Sequence, residues 1–382
     1  MNDMTQDKQH SRPNVPPLRV PGFNESWQRK TLGECFEMYS GNTPSRMNKE
    51  HFDGVINWIT SGELKSHYIA ETKEKISEEA AERNNLRMLP IGTFVIAIYG
   101  LEAVGVRATG SITTQISTIS QACMAFLPKS EVANEFLYSW YMKHGNIIGL
   151  RYAQGTKQQN LSYDILDKFQ ISYPKGKEQE KLIHFVSIID RRIAVQNKII
   201  ERLQSLMGGI AQRLTAQSPN RRIADCLECH SSTLQESQLS ENGEYRVFGA
   251  NGVCGFSKKP DIQGDSILIV KDGSGVGNVS FVSGEYSVIG TSNYLTAKKG
   301  YSLRYLYYCL MCFNFVPYKT GMAIPHIYFK DYGKAKIFCP TTDRQERIAT
   351  ALSKIESKID IERSILLHLT SQKQYLLQQM FI

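Results

Sequence analysis

Residues 177–206 read KEQEKLIHFVSIIDRRIAVQNKIIERLQSL, and residues 343–369 read DRQERIATALSKIESKIDIERSILLHL. In both stretches apolar residues recur at alternating spacings of four and three, which is typical of a helix that buries one stripe against a partner helix. The two stripes share one register at an offset of 166 residues, with Gln196 and Glu362 at matching places. We expect the helices to pack on each other through Ile189, Ile193, Ile200, Leu203, Ile355, Ile359, Leu366 and Leu369. Packing of each helix on its own domain is the simpler alternative, but the matching registers favour mutual pairing.

The similarity extends upstream of the helices, which indicates a duplicated domain. Its offset falls along the chain, as expected of two copies whose loops differ in length. The matches are KTLGEC (30–35) with RIADCL (222–227) at about 191, GTFVIAIYGLEAVG (92–105) with GDSILIVKDGSGVG (264–277) at 172, and Gly155 with Gly321 and Gln179 with Gln345 at 166.

These matches predict an α+β chain in which two mixed α/β domains are each followed by a long helix. The polar, proline-containing start lacks the pattern of a secretory signal and is interpreted as a flexible leader. The predicted segments are the leader 1–20, a first domain 21–174, a first helix 175–216, a second domain 217–340 and a second helix 341–382.

If the two helices pair as an antiparallel coiled coil, a pseudo-twofold axis relates the two copies. The domains would then lie at opposite ends of a rod, because each domain precedes its own helix. A helix of about 36 residues would make this rod roughly 55 Å long. Two similar domains at a fixed separation would suit a reader of two short DNA segments with a defined gap.

The composition is that of a globular protein and sets few limits on the partners. Hydrophobic residues make up 41% and charged residues 21% of the 382 residues, and the net charge of +8 is compatible with a polyanionic partner. No apolar run reaches the roughly 18 residues of a membrane span, so no membrane association is expected. The eight cysteines are irregularly placed, which fits a reducing cytosol, and we expect a cytoplasmic protein.

Motifs of catalysis and of metal binding are missing from the sequence. Two pairs of cysteines have CxxC spacing, Cys226 with Cys229 and Cys309 with Cys312, but they lie much further apart than the about 15–20 residues of a zinc ribbon. The P-loop, HExxH and GxSxG motifs do not occur. The glycine-rich stretch 273–277 precedes a strand-like pattern and not a helix. We expect no metal, no catalytic residue and a binding function.

Polar segments near the repeated glycines are the candidate DNA contacts. Arginine and lysine suit guanine edges or phosphates, and glutamine and asparagine can pair with adenine. In the first copy the alternative is a solvated turn that leads into a short helix, with Asn160 or Ser162 as its cap. The candidates are Arg151, Lys157, Gln158, Gln159 and Asn160 in the first copy and Lys271, Ser274, Asn278, Asn293, Tyr294 and Lys319 in the second.

In this combination the chain resembles the specificity subunits of Type I restriction-modification enzymes, from about residue 20 to its end. The resemblance rests on PGFNESWQRKTLGE (21–34), EQEKL (178–182), RQERI (344–348), the paired helices and KQYLLQQMF (373–381). Two departures are Arg344, where the first copy has Glu178, and the second domain's opening, which lacks the tryptophan and glycine.

The resemblance implies that each domain is a target recognition domain for one part of a split, asymmetric sequence of double-stranded DNA. The helices would set the gap between the parts. Two modification subunits, which use S-adenosylmethionine to methylate adenine at N6, would dock on the helical region, and ATP-dependent restriction subunits would join them. The chain itself would be non-catalytic and would bind no cofactor.

Two alternatives differ in class. A self-contained DNA-modifying enzyme would transfer methyl groups alone, but an adenine methyltransferase needs an Asn/Asp-Pro-Pro-aromatic segment, and the single Pro-Pro, in NVPPLRV (14–20), lacks that context. A coiled-coil scaffold without DNA readout would bind DNA weakly and without regard to sequence.

Overall fold

The computed structural model describes residues 14–103, 105–155, 157–215, 217–240, 242–322 and 324–382. The chain forms two compact units, of which the first comprises the residues up to Val195 together with Leu366–Ile382, and the second comprises Gln196–Ile365. Each unit contains one α/β domain, the beginning of the long helix that follows this domain and the end of the other long helix. The compact units therefore divide both helices, whereas the predicted segments separate helices from domains.

The first domain runs from β1 to β10 and is followed by the helix α5. Its sheets have the orders β2-β9-β6-β7-β4, β5-β3-β8 and β1-β10. The elements are β1 (Gln28–Thr31), α1 (Leu32–Cys35), β2 (Phe36–Ser40), β3 (Ile56–Ile59), β4 (Tyr68–Ile69), β5 (Lys75–Ile76), α2 (Glu78–Arg83), β6 (Phe94–Ala97), β7 (Gly110–Thr113), β8 (Ser117–Ile119), β9 (Cys123–Pro128), α3 (Asn134–Tyr152), α4 (Tyr163–Asp167), β10 (Gln170–Tyr173) and α5 (Gly176–Thr215).

The second domain runs from β11 to β20 and is followed by the helix α9. Its sheets have the orders β12-β19-β16-β17, β14-β13-β18-β15 and β11-β20. The elements are β11 (Arg221–Arg222), α6 (Ile223–Cys226), β12 (Leu227–Ser231), β13 (Tyr245–Gly249), β14 (Gly252–Ser257), β15 (Ile262–Gln263), β16 (Ser266–Val270), β17 (Val279–Val282), β18 (Glu285–Val288), β19 (Ser292–Ala297), α7 (Leu303–Met311), α8 (Phe329–Tyr332), β20 (Lys336–Ile337) and α9 (Thr342–Met380).

The two domains share a frame, and this confirms the predicted duplication. The series β2-β9-β6-β7 corresponds to β12-β19-β16-β17, and β1-β10 corresponds to β11-β20. A parallel pair is also common to both, β3 with β8 and β13 with β18. Every residue of the central strands β6 and β16 is buried, which explains their continuous apolar sequences.

The predicted offset of 172 for the central strands is wrong by one residue. Phe94 pairs with Phe126 in β9, and Ile267 pairs with Leu295 in β19. Strands β2 and β12 are matched, so their partners β9 and β19 match each other, at an offset of 169. Because Phe94 and Ile267 pair with matched residues of β9 and β19, they match each other at an offset of 173. The sequence match was aligned on glycines that precede strands at unequal distances, and a slip of one residue exchanges the two faces of a strand.

The predicted leader is attached to the first unit where the structure describes it. Its residues 1–13 lie outside the described residues. The Leu18 amide donates to the Gln379 carbonyl at 3.0 Å, and the Arg19 guanidinium pairs with the buried carboxylate of Glu178 at 2.7 Å. The segment 14–20 is therefore held against α5 and α9.

A buried glutamine connects the first domain to α5. The Gln179 side-chain oxygen accepts a hydrogen bond from the Ala133 amide, just before α3, at 2.7 Å. Its side-chain nitrogen donates to the Pro174 carbonyl, just after β10, at 3.0 Å. One side chain thereby holds together the start of the long helix, the last strand and the domain helix.

The second copy repeats this connection at the matched positions. The Gln345 side chain accepts from the Ser302 amide before α7 at 2.9 Å and donates to the Pro340 carbonyl at 2.8 Å. Both glutamines are buried, and the backbone groups that they satisfy belong to buried or half-buried residues, where water is a poor substitute. The repeated Gln at an offset of 166 is thus a structural requirement of the domain–helix joint.

In the second unit the two long helices run antiparallel. The Gln196 side chain donates to the backbone and side-chain oxygens of Glu362, with 3.0 Å to the backbone oxygen. Towards the end of α5, Ala211 shares a core with Ile348 and Leu352 near the start of α9. Gln196 and Glu362 are matched positions, and contact between matched residues is the mark of a twofold relation between two helices.

The helices are antiparallel in the first unit as well. Asp190 of α5 pairs with Lys373 of α9 at 2.5 Å, and Leu182 and Val186, nearer the start of α5, share a core with Leu377. The predicted antiparallel coiled coil is thereby confirmed. Of the eight predicted packing positions, those that are buried are Ile189, Ile200 and Ile359, and those that are half-buried are Ile193, Leu203, Ile355, Leu366 and Leu369.

Replacing Gln179 or Gln345 by alanine should lower the free energy of unfolding by about 1–3 kcal/mol, because each change leaves one amide and one carbonyl unpaired, one of them in a buried residue and the other in a half-buried residue. Urea denaturation of the full chain measures this. Gln204 is exposed on α5, and Gln204→Ala is the matched control, with an expected change below about 0.5 kcal/mol. Unchanged unfolding of both test variants would show that the glutamines do not hold the joints.

Candidate nucleic-acid interface

Two loops of the first unit join at the end of β6, and together we call them the first loop pair. They are residues 98–109 after β6 and residues 153–161 after α3, apart from 104 and 156, which lie outside the described residues. The Leu101 amide donates to the Gln159 carbonyl at 3.1 Å. Gln154 and Asn160 exchange two backbone hydrogen bonds, at 2.8 and 2.9 Å. The two loops therefore form one rigid surface feature.

Side chains fix the first loop pair further. The Gln159 side-chain oxygen accepts from the Arg107 guanidinium at 2.8 Å. The Gln159 amide donates to the Glu102 carboxylate at 2.8 Å, and this bond, together with a bond from the residue's own amide and the charge of Arg107, lowers the pKa of Glu102. Both the side chain and the backbone amide of Gln159 are thus hydrogen-bonded to residues of the other loop.

Glycines permit the tight geometry of this loop pair. Gly155 has φ of +104°, and an added Cβ would lie 2.1 Å from the Gln158 carbonyl oxygen. A Cβ on Gly149 of α3 would lie 2.7 Å from Cγ of Arg107, and one on Gly145 would lie 3.2 Å from Cβ of Ala108. The first loop can therefore lie directly on α3 because two glycines, four residues apart, leave room for it.

The second unit contains the same arrangement, the second loop pair. Its loops are residues 271–278 after β16 and residues 319–327 after α7, apart from 323, which is not described. The Gly273 amide donates to the Pro325 carbonyl at 3.0 Å, and Thr320 and His326 exchange two backbone hydrogen bonds, at 2.9 and 2.7 Å. The His326 ring contacts the Asp272 carboxylate at 2.7 Å.

The two loop pairs share their backbone and differ in their side chains. At the offset of 166, Gln154 and Asn160 match Thr320 and His326, and each pair makes the same two backbone hydrogen bonds. Gly321 matches Gly155, with φ of +86° and an added Cβ at 2.4 Å from the Ile324 carbonyl oxygen. One frame thus presents a different set of polar groups in each copy.

The five candidate residues of the first copy fall in or next to the first loop pair. Lys157 and Gln158 are exposed on the second of its loops, and Arg151 is exposed in the last turn of α3. Gln159 and Asn160 are half-buried. Gln159 is committed to internal bonds, whereas the side-chain oxygen of Asn160 has no hydrogen-bond partner among the described residues.

The candidates of the second copy are more scattered. Lys271, Ser274, Asn278 and Lys319 lie in the second loop pair, and all but the half-buried Lys271 are exposed. Asn293 lies in β19 instead, is 5% exposed and accepts a hydrogen bond from the Ser231 hydroxyl at 2.9 Å. It is therefore inside the domain and not on its surface.

Tyr294 occupies a separate feature of the second domain. It is half-buried in β19 and stacks on His230 with 4.8 Å between the ring centres. Its side chain lines a polar cavity of about 340 Å³ together with Ser231, Gln238 and Asp261. The structure does not bring this cavity into the second loop pair.

Several residues of the loop pairs were not among the predicted contacts: Glu102, Arg107, Asp272, Thr320 and His326. Glu102 and Arg107 lie in the first of the two loops, about 50 residues from the partner loop in sequence. The offset of 166 would have found Thr320 and His326, since they match Gln154 and the predicted Asn160.

Other features of the described residues offer no second kind of site. None of their His, Cys, Asp and Glu side chains form a group of three or more that could hold a metal. The thiol of Cys226 lies 3.7 Å from that of Cys339 and does not face its CxxC neighbour, and burial raises the pKa of Cys229 to about 11. Within the same residues, no helix has the length and apolar character of a membrane span.

The family model described as the Type I restriction modification DNA specificity domain matches residues 24–205 and again residues 219–371. The chain belongs to this family. Each match contains one domain, one loop pair and most of one long helix, so the family unit is the repeat that the loops and glutamines define. The predicted relation to Type I specificity subunits is confirmed.

Two characterised relatives illustrate the similarity in sequence. The Type I restriction enzyme MjaIX specificity subunit of Methanocaldococcus jannaschii is 30% identical over 196 residues, which is 47% of this chain and 42% of that protein. The EcoR124I/EcoR124II specificity subunit of Escherichia coli is 28% identical over 177 residues, 46% of this chain and 43% of that protein. The alignments span less than half the length of either relative.

Two solved structures share the fold over nearly the whole chain. A Type I restriction-modification S subunit from M. genitalium has a TM-score of 0.62 at 17% identity, over 96% of this chain and 99% of that one. A chain from a study of complex assembly and conformational transition of the Type I restriction-modification system has a TM-score of 0.53 at 14% identity, over 95% and 98%.

Alanine at Gly155 or Gly321 should distort its loop pair, because the added Cβ would clash with a backbone oxygen in addition to the cost of a positive φ. Gly92 and Gly264 have φ of +85° and +100°, and nothing lies within 4 Å of their added Cβ atoms. Thermal unfolding should therefore show a larger loss for Gly155→Ala and Gly321→Ala than for the matched controls Gly92→Ala and Gly264→Ala. Equal losses would mean that the loops can move to accept the methyl group.

Proposed function

We propose that this chain is the sequence-reading subunit of a Type I restriction-modification complex. Each domain reads one part of a bipartite, asymmetric sequence in double-stranded DNA through its loop pair. The antiparallel helices set the gap between the two parts. The chain contributes recognition and no catalytic group.

The observation that supports this function is the repeated frame with divergent side chains. The backbone hydrogen bonds of the two loop pairs coincide, and Gly155 and Gly321 preserve the same tight turn. The exposed groups differ, with Lys157 and Gln158 in the first pair and Lys319 in the second. A duplicated reader of two different sequences requires one stable frame and two sets of contacts.

The exposed side chains suit DNA chemically. Lysine ammonium groups such as those of Lys157 and Lys319 attract phosphates, which supplies affinity without base discrimination. The Gln158 side chain offers one donor and one acceptor, which can pair with the acceptor and the donor that adenine presents in the major groove. Lys271, Ser274 and Asn278 provide a similar mixture in the second loop pair.

Partner subunits would carry the chemistry. Two modification subunits would bind S-adenosylmethionine and methylate adenine at N6, and restriction subunits would use ATP and Mg²⁺, while this chain would bind no cofactor. The apolar side chains of Phe185, Ile188 and Val195 are exposed on α5 in the first unit, at 39%, 39% and 56%. Exposed apolar residues aligned on one helix are suited to a docked protein. We place the complex in the cytoplasm, where it would meet DNA.

The test is a map of methylated adenines in a host free of other methylation that expresses this chain with its modification subunit. The expected result is one bipartite motif with a fixed gap. Methyl transfer by the purified chain alone would instead identify a self-contained enzyme. A soluble complex that binds DNA without sequence preference would contradict a reading role and indicate a scaffold.

Changes in one loop pair should affect one half of the motif. Gln158→Ala should relax the requirement for one base in one half-site, at a cost of about 1–3 kcal/mol in discrimination. Lys157→Ala should weaken binding to all sequences and reduce the salt dependence by about one phosphate contact. Lys319→Ala should weaken binding in the same way through the other half-site. The methylation map and DNA binding by the complex measure these effects.

Lys73 is exposed in the first domain outside the loop pair, and Lys73→Ala is the matched control with no expected change. A Gln158→Ala map with altered bases in both half-sites would contradict the assignment of one loop pair to one half-site.

Lengthening both helices should change the gap and leave the bases unchanged. Seven residues inserted into each of α5 and α9 add two turns, or about 10 Å, and preserve the interhelical register. The methylation map should show the same two half-sites with a gap longer by about three base pairs. Altered bases with an unchanged gap would contradict the role of the helices as the spacer.

A further inference from the structure

A cluster of half-buried charged groups outside the loop pairs joins the first domain to both long helices. At its centre is His67, just before β4, whose side chain is only 10% exposed. Its Nε2 lies 2.8 Å from the Glu135 carboxylate of α3. Its Nδ1 lies 2.9 Å from the Asp190 carboxylate of α5, at ion-pair distance but without hydrogen-bond alignment. Lys373 of α9 pairs with the other Asp190 oxygen at 2.5 Å.

Aromatic rings enclose the histidine. Tyr68 and Tyr138 stack on its two faces, with 4.1 and 3.9 Å between ring centres. The Tyr68 hydroxyl also donates to Glu135 at 3.0 Å, and the Lys373 ammonium lies 5.5 Å from the centre of the Tyr138 ring. The two stacked rings hold the His67 ring in its plane, with Nε2 hydrogen-bonded to Glu135 and Nδ1 at ion-pair distance from Asp190.

The second unit has a charge cluster at the matching place, made of different residues. By the matched offsets, Glu135 corresponds to Arg304 and Asp190 corresponds to Glu356. Arg304 pairs directly with Glu356 at 3.0 Å. Tyr307 and Tyr308 donate to the same carboxylate at 3.1 and 2.9 Å. The joint of the second domain thus rests on a guanidinium, which remains charged throughout the physiological pH range.

In the first unit both matched positions are acidic, so a direct pair is impossible. A cation between the half-buried carboxylates of Glu135 and Asp190 reduces the repulsion between them. Lys373 neutralises Asp190 from one side, and His67 faces both acids. Imidazolium carries a proton on each nitrogen, whereas neutral imidazole carries one and presents a lone pair to the other carboxylate.

We propose that protonated His67 positions the first domain on the spacer helices, so that recognition of the first half-site, but not of the second, is lost as the pH rises. His67 is the positioning residue, and it acts on DNA only through the orientation of the domain that carries the first loop pair. The half-site part of this inference rests on the proposed function. The positioning part can be tested on the chain alone.

The titration has a definite sign. Burial acts to lower the pKa of His67. Its interactions with Asp190 and Glu135 together raise the pKa by more than burial lowers it, so the net pKa is above the ordinary histidine value. The stabilisation is therefore complete below the ordinary pKa and is lost as the pH rises through the folded-state pKa. The joint of the first domain should be firm in mild acid and loose at alkaline pH.

Other titratable and charged groups face His67 from the elements packed around it. Burial and the neighbouring Glu135 raise the pKa of Tyr68 to about 12, and burial also raises the pKa of Tyr138. Burial acts to raise the pKa of Asp190, but His67 and Lys373 together lower it by more, so the net pKa is below the ordinary aspartate value. Arg191, which is next to Tyr68, and Lys373, which pairs with Asp190, are the other charged groups of the two helices at this cluster. The proposed positioning depends on the charge of His67, whose pKa is raised.

Hydrogen exchange of the full-length chain, corrected for the intrinsic effect of pH, measures the joint directly. Between pH 6 and pH 9 the backbone around His67 and at the end of α9 should lose protection by about tenfold or more, while the backbone around Arg304 should not. His67→Gln should show the loosened state already at pH 6. His184 is exposed on α5, and His184→Gln is the matched control with unchanged protection.

A rescue variant separates positioning from general destabilisation. Glu135→Arg in the His67→Gln background places a guanidinium where the second copy has Arg304, so that it can pair with Asp190. Protection should return and should be the same at pH 6 and pH 9. Should His67→Gln alone fail to fold, the pH profile of the natural chain still decides. A flat profile in the first unit, or a rescue variant as loose as His67→Gln, would overturn the proposal.

DNA binding by the complex with its modification subunit supplies the second readout. Discrimination against a substituted first half-site should fall about tenfold at pH 9 or in His67→Gln, with the second half-site unaffected. Equal pH dependence of both half-sites would overturn the half-site part of the proposal. A complex that reads no bipartite sequence would reject the proposed function, while the exchange data would still decide the role of His67.

Discussion

The fold depends on one hydrogen-bonding constraint, which a glutamine satisfies at the start of each long helix. Gln179 and Gln345 each accept from the backbone before a domain helix and donate to the backbone after the last strand. These groups belong to buried or half-buried residues, so leaving a buried one unpaired costs more than the net value of an ordinary hydrogen bond. These hydrogen bonds therefore fix the direction in which each helix leaves its domain, and this direction places the apolar stripe of each helix against the other helix.

The two copies share the residues that satisfy or make room for the backbone, and they differ at residues on which no backbone group depends. The glutamines and the glycines of the loop pairs serve the backbone and occur in both copies. Exposed loop side chains such as those of Lys157, Gln158 and Lys319 differ between the copies. The ion pairs beneath the domains form an intermediate class, because both copies need a charge balance there but reach it with a histidine in one unit and an arginine in the other.

The sequence alone was sufficient for the architecture because periodicity and repeats are local signals. The helix register and the matched glycines follow from spacing, and the one error in the repeat was a slip of a single residue in a strand, which only the pairing partners could correct. The candidate site was harder to predict. Whether a polar residue such as Gln159 or Asn293 is free or committed to internal bonds depends on partners far away in sequence. The role of His67 could not be predicted either, since its carboxylates lie about 70 and 120 residues further along the chain.

The contact between Gln196 and Glu362 has a consequence for how such a chain can exist. These residues occupy matched positions, so in a dimer of two identical half-length chains each would face its own copy. Two glutamines can face each other and exchange amide hydrogen bonds, whereas two glutamates would each depend on the neighbouring Lys358 for charge balance. Fusion of the two halves in one chain places a glutamine opposite the glutamate, so that an amide donates to the carboxylate at the centre of the helix pair.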